Sequence, residues 1–347
     1  MGDIYCGRSA FRYFRVPPQV LMTLPDLSIA RDRASRMALH SEPAFAEIFG
    51  ARAHRLVFDR ASRTCADRLT SHLWTGELPA GAIWQDVPVI GDVTSPLFTL
   101  FLLARECSTA ELVMAMHEMC GEFAIYQPSS EMAKEAASNE GLYGWRRVID
   151  VDGRQTSIWR RPPLVMLDEL RSFADSVIEL QWGKSFRAAV DLVQGITLSP
   201  FEVEAAMLLG LPRRYGGYGF SLETNLPIRL SGRGRALAQR NHCVADIYIE
   251  NPKNGNALDI ECQGRAIHAS LGAAASDADR TTAVEAEGID VALLSYKQLE
   301  DPKRFQLFCE FVAKKLGIRL RPKTLAQQKA EVNLRAMVLS DWTKLCS

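Results

Sequence analysis

The chain has 347 residues and carries 41 basic and 41 acidic side chains, so its formal net charge is zero. Neutrality excludes a histone-like or tail-driven nucleic-acid binder while leaving room for a local basic groove. Apolar residues at 47% and charged residues at 24% are ordinary globular values and exclude wholesale disorder.

The length suggests roughly two or three domains, each able to bury its own core. The longest apolar run, 96–104, falls far short of the roughly 18 residues that a membrane span needs, so no membrane partner is expected. Arg8, Arg12 and Arg15 are followed by no apolar stretch, so a signal peptide is not expected. The eight cysteines include no CxxC pair and sit in apolar contexts. Reduced thiols in a cytoplasmic protein fit that pattern better than a disulfide framework or a zinc ribbon.

In chain order, the first 39 residues interleave Tyr5, Phe11, Tyr13 and Phe14 with Arg8, Arg12 and Arg15. This predicts a short helix docked on the body and ended by Pro17-Pro18, in preference to a nucleic-acid arm. A second helix is expected over 28–39. From 53 to 93 the runs 54–58, 82–84 and 87–90 read as short strands. Thr94-Ser95-Pro96 then predicts a capped helix over 97–105, almost wholly apolar and hence central. Ser108, with Glu111 three residues on, opens another helix that stops at Gly121.

The stretch 131–161 is polar and turn-rich and reads as an exposed insert or boundary. Residues 164–193 read as helical. Ser199-Pro200 caps a helix to about 211, with Glu202 near its positive end. An extended segment over 226–230 precedes a strand over 243–250, a turn over 251–256 and a strand over 257–262. A helix over 272–288, a strand over 289–295, an amphipathic helix over 302–316 and a helical tail complete the chain. The glycines at 216, 217 and 219 lack the Lys-Ser/Thr ending of a phosphate loop and read as a turn. The fold class expected is α+β or α/β. An α+β module over 1–130 is followed by a helical linker over 131–195, a mixed αβ domain over 196–320 and a tail over 321–347.

The chemistry-bearing residues lie in the last third. Asp246 on one strand and Glu261 on its hairpin partner can reach the same face. Two such carboxylates suit Mg²⁺, which takes oxygen ligands and keeps several waters. A half-exposed strand that merely contains Asp and Glu is the plain alternative. Gln263, two residues beyond Glu261, shares its face, and His268 follows as a general acid or base at the strand exit.

The run Asp246…Ile260-Glu261-Cys262-Gln263-Gly264…His268, with Asp277, Arg280, Val284, Gly288 and Val291 behind it, resembles the restriction-endonuclease-like PD-(D/E)XK superfamily. The similarity is nearest its very-short-patch-repair (Vsr) branch and covers about 198–317, including the entry phrase Ser199-Pro200-Phe201-Glu202. It implies an αβββαβ domain that binds DNA and cleaves phosphodiester bonds with Mg²⁺. The superfamily's usual Lys two residues after the Glu is Gln263 here. The stretch Val93-Thr94-Ser95-Pro96-Leu97-Phe98 is similar, more faintly, to AbiEi-type antitoxin and regulator modules, which implies a setting in phage defence or toxin–antitoxin biology.

Two functions follow from the resemblance. In the first, the protein is a Mg²⁺-dependent DNA endonuclease. Asp246 and Glu261 would hold the metal, Gln263 would position water and His268 would move a proton. Glu202 and Asp277 would support them, Arg280 would clamp a phosphate, and Arg213, Arg214 and Arg235, with Arg233 and Arg240, would track a DNA backbone. In the second, loss of the Lys leaves a nuclease fold that binds DNA or a protein partner such as a toxin.

Overall fold

A computed structural model describes residues 3–28, 42–63, 65–66, 68–130, 132–134, 141–150, 152–263 and 271–346, and for 65–66 and 271–277 the backbone alone. The described residues are mixed α/β with three sheets. It divides into two compact units: Met1–Arg147, Ser157–Asp191 and Asp341–Ser347 form the first, Val148–Thr156 and Leu192–Ser340 the second.

The first unit opens with β1 (Ile4–Tyr5), α1 (Gly7–Tyr13), α2 (Pro18–Leu21) and α3 (Pro43–Phe49). Strands β2 (Ala53–Val57), β3 (Cys65–Ala66), β4 (Leu69–Leu73), β5 (Ile83–Val87) and β6 (Gly91–Thr94) follow, and with β1 they make a sheet in the order β3-β4-β2-β1-β6-β5. β2 runs parallel to β4 and antiparallel to β1. The strand expected over 87–90 is instead a turn that carries Val89 at a positive φ, with its carbonyl accepting from the Leu27 amide. The helix expected over 28–39 lies almost wholly outside the described residues.

Ser95 caps α4 (Pro96–Leu103) through its Oγ, which accepts from the Phe98 amide at 3.3 Å. Pro96 occupies the first turn, where a missing N–H costs nothing. Phe98, Leu100, Phe101 and Leu103 are buried, as an all-round apolar helix must be. Ser108 and Glu111 form a reciprocal capping box at α5 (Thr109–Cys120). Arg15 donates to Glu118 of α5 at 2.8 Å with both side chains buried, so the aromatic and basic N-terminal stretch is docked on the body.

The polar stretch 131–161 is not simply an exposed insert. It contributes β8 (Arg146–Ile149) and β9 (Gln155–Arg160) to a sheet with β7 (Phe123–Ile125), in the order β7-β9-β8. Trp159 of β9 is fully buried in a cluster with Val16, Val20, Ala124, Tyr126 and Trp145. Helices α6 (Leu167–Ser176) and α7 (Gly183–Val190) also belong to the first unit.

The second unit runs α8 (Pro200–Gly210), β10 (Leu222–Arg229), α9 (Gly232–Ala238), β11 (His242–Asn251), β12 (Asn256–Gln263), α10 (Leu271–Glu285) and β13 (Ile289–Ser295), then α11 (Tyr296–Glu300), α12 (Pro302–Leu316) and α13 (Leu325–Val338). Its sheet has the order β10-β11-β12-β13, antiparallel except for the parallel β12–β13 pair. β11 alternates: Ala245, Ile247 and Ile249 are buried while Val244, Asp246 and Tyr248 are half-exposed. Ile247 pairs with Ile260, so buried rows of adjacent strands meet. Burying each such side chain contributes roughly 1.5–3 kcal/mol.

The β11–β12 turn is pinned from outside the sheet. Asn251 and Asn254 donate to the Leu316 carbonyl and Asn256 to that of Lys315, satisfying the orphan carbonyls at the end of α12. The glycine tract is a close approach of backbones, not a phosphate loop: a Cβ on Gly216 would lie 2.4 Å from the Ala330 carbonyl oxygen of α13.

Candidate functional site

The register that pairs Ile247 with Ile260 brings Asp246 opposite Glu261 across β11 and β12. Asp246 reaches the neighbouring strand and accepts from the Cys262 amide at 2.8 Å. Asp259, two residues before Glu261 and so on the same side of the strand, is buried with its Oδ1 unpartnered. Glu202, at the start of α8, accepts from the Leu198 amide at 2.6 Å and from the Ser199 hydroxyl at 2.8 Å.

Ala283 and Val284 of α10 pack in one cluster with Ile228, Leu230, Cys243 and Ala245. That docking places Arg280, one helical turn earlier, over the carboxylates. Its guanidinium grips both oxygens of Glu261 and also donates to the Val244 carbonyl.

The charges are unbalanced. Glu202, Asp246, Asp259 and Glu261 act on one another and on Arg280. Burial, then Glu261 and Glu202, pushes the Asp246 carboxyl up to about 7. Burial and Glu261 push Asp259 up to about 9. Burial alone would lower Arg280, but the bonds and charge of Glu261 outweigh it and the guanidinium is raised. Crowded acids of this kind either share protons or share a cation.

A cleft of about 650 Å³ opens onto this cluster, lined by Asp246 and Arg280 together with Asn225, Arg240 and His242. Asn225 holds a left-handed backbone (φ 54°), a conformation that non-glycine residues rarely adopt.

The structure thus brings together Asp246, Glu261, Arg280 and Glu202 from among the residues singled out in the sequence. Gln263 ends β12 and is exposed. His268 and the side chain of Asp277 lie outside the described residues. Arg213 donates to the Arg321 carbonyl, Arg214 lies over the Tyr215 ring and Arg235 donates to the Leu230 carbonyl. Arg213 ties its turn to a distant segment, Arg214 and Arg235 act within their own neighbourhoods, and none of the three lines the cleft. Sequence reasoning missed Asp259 and His242. The Asp259-x-Glu261 spacing was a usable signal for the first, and the strand-start position of His242 gave none.

Among the described residues, the one group of three ligand-type side chains whose donor atoms lie within 4.8 Å of each other is elsewhere, in the first unit: His54, His72 and Glu106. The cysteines whose side chains are described are free thiols, and no helix among the described residues is long and apolar enough to cross a membrane. Comparison with protein families, with curated proteins and with solved structures finds no match to this chain.

Proposed function

We propose that the second unit is a nuclease-like phosphodiesterase domain that uses Mg²⁺ and acts on DNA. The observation that carries this reading is the cross-strand pair Asp246–Glu261 beside a cleft walled by Arg240, His242 and Arg280. The donor set fits the ion: all-oxygen carboxylates suit a hard cation, and the buried Oδ1 of Asp259 has no partner. Asp246 and Glu261 would hold it, with Asp259 behind them. A bound Mg²⁺ would neutralise phosphate charge and acidify a water.

The chain's own residues supply the rest. Arg240 and Arg280 give the cleft positive charge toward a phosphodiester. His242, at the mouth, is placed to exchange a proton with solvent or a leaving oxygen. Gln263, neutral where the resembled family carries Lys, can orient water but adds no charge.

One observation favours the second reading, a nuclease-like fold turned to binding DNA or a protein such as a toxin. Arg280 occupies both oxygens of Glu261, so a metal there must displace a bidentate ion pair. Mg²⁺ calorimetry and plasmid nicking on wild type and on an Asp246→Ala, Glu261→Ala double variant separate the two. Metal binding and nicking that both vanish in the variant support the enzyme. DNA binding without metal uptake or nicking in the wild type means the binding protein.

A further inference from the structure

We infer that the first unit carries a second, chemically different metal site: a zinc-type site whose ligands are His54, His72 and Glu106. It is independent of the carboxylate cluster and does not rest on the nuclease reading.

The ligands are placed by the sheet. β2 and β4 run parallel, with His54 opposite Thr70 and Leu56 opposite His72. The two histidines therefore lie two residues apart on the same face of adjacent strands. Their rings stack at 18° with centroids 5.1 Å apart, and His54 Nδ1 lies 2.8 Å from His72 Nε2. Glu106 reaches the pair from the turn after α4, its Oε1 3.4 Å from Nδ1, the other nitrogen of the His72 ring. One ring nitrogen from each histidine and one carboxylate oxygen lie within 4.8 Å of one another.

The set is chemically a transition-metal set. Two imidazoles and a carboxylate are the protein half of an open, four-coordinate Zn²⁺ site, and hard cations such as Mg²⁺ prefer all-oxygen sets. Tetrahedral coordination at 2.0–2.1 Å puts two ligand nitrogens about 3.3 Å apart. Opening the 2.8 Å histidine contact by about half an ångström reaches that spacing.

Outer contacts are in place as well. Arg8 Nε donates to the other oxygen of Glu106 at 3.0 Å, fixing the carboxylate. The backbone of His54 is held at both ends: its N–H donates to Ser9 Oγ at 2.7 Å and its carbonyl accepts from the Cys6 amide at 2.9 Å.

The fourth position has somewhere to face. His72 and Glu106 line a cavity of about 530 Å³, whose walls include Arg63, Arg105, Trp74 and Trp182. Two arginines and two indoles suit a small anion, a carboxylate or a phosphate, with an aromatic or apolar body. Trp182 holds a left-handed backbone (φ 69°), strain that a bulky residue carries only when its surroundings over-determine it. Arg105 lies 5.5 Å over its ring.

The test uses the full chain and Zn²⁺ alone. After dialysis against a zinc buffer, elemental analysis should find one zinc per chain in the wild type and in the Asp246→Ala, Glu261→Ala variant. His54→Gln and His72→Gln should each lower affinity at least about 100-fold, since outer partners alone are worth 10–100-fold. Co²⁺ substitution is the second readout. It should give the visible bands of a four-coordinate ion with no thiolate charge-transfer band, which separates this site from adventitious binding at the cysteines. Zn²⁺ should also raise the thermal midpoint of the wild type and not that of His72→Gln. No zinc on the folded wild type, zinc retained by both histidine variants, or a thiolate band in the cobalt spectrum would overturn the inference.

Discussion

Arg280 decides between the two readings of the second unit, and replacing it gives a sharp test. Arg280→Met keeps most of the aliphatic bulk and removes the guanidinium. The side chains of Arg280 and Glu261 are 25% and 15% exposed, so the pair is mostly, not wholly, desolvated. Breaking a fully buried pair costs about 3–5 kcal/mol and an exposed one about 0–1. This pair falls between, at about 2–3 kcal/mol. Part of that comes from Asp246 and Asp259, which lose the charge of Arg280.

Glu261→Gln should cost less, about 1 kcal/mol, because Asp246 and Asp259 still face Arg280. The double variant should recover about 1–2 kcal/mol of the summed losses, as contacting residues do. Urea unfolding followed by circular dichroism gives all four corners of the cycle. Mg²⁺ adds a second axis. With Arg280 gone, Glu261 is released to a cation, so Mg²⁺ at a hundred times its dissociation constant should return about 2.7 kcal/mol. A loss below about 0.5 kcal/mol, or strict additivity, would refute the fixed desolvated pair. A normal loss that Mg²⁺ does not repair would leave the pair standing and remove the metal.

Two further outcomes test other parts of the molecule. His117 of α5 is fully buried with both ring nitrogens unpartnered, and burial lowers it to about 4. The unfolded chain takes up a proton near pH 6.5 that the folded chain refuses until about pH 4, so stability falls as pH falls through that window, by up to about 3 kcal/mol. His117→Phe should make the fall of the urea midpoint between pH 7 and pH 4.5 smaller than in the wild type, and an unchanged slope would refute the assignment. The Sγ atoms of Cys107 and Cys346 lie 3.3 Å apart within the first unit. Diamide, accepting the two electrons and two protons, should join them at about 2.05 Å, with a mass loss of two hydrogens and a higher urea midpoint, neither of which Cys346→Ser should show.

What the sequence made legible follows from how local each signal is. The helices opened by Ser95-Pro96, Ser108-x-x-Glu111 and Ser199-Pro200 begin where their caps stand, because a cap acts within one turn. β11 was readable from alternation and β12 from the turn before it, and from their pairing came Asp246 opposite Glu261. Short strands were harder. β1 has only two residues, and its pairing with β2 and β6 is a long-range fact that no local pattern carries. Trp159 was hidden in a polar, turn-rich stretch because one face of a hairpin can bury an indole while the other stays wet.

The same contrast separates the two candidate sites. The carboxylate pair belongs to a hairpin, whose register fixes which residues meet, so a span of sixteen residues held the signal. His54, His72 and Glu106 come from two parallel strands and a turn beyond a later helix, and parallel pairing requires a crossover that leaves no short-range mark. His54 lies two residues before Leu56 and His72 two before Trp74, each in an unremarkable run. Their meeting depends on β2 choosing β4 as its neighbour and on α4 turning Glu106 inward. Sites of that kind are set by topology. A reading confined to motifs finds hairpin chemistry first and misses the chemistry that a mixed sheet assembles.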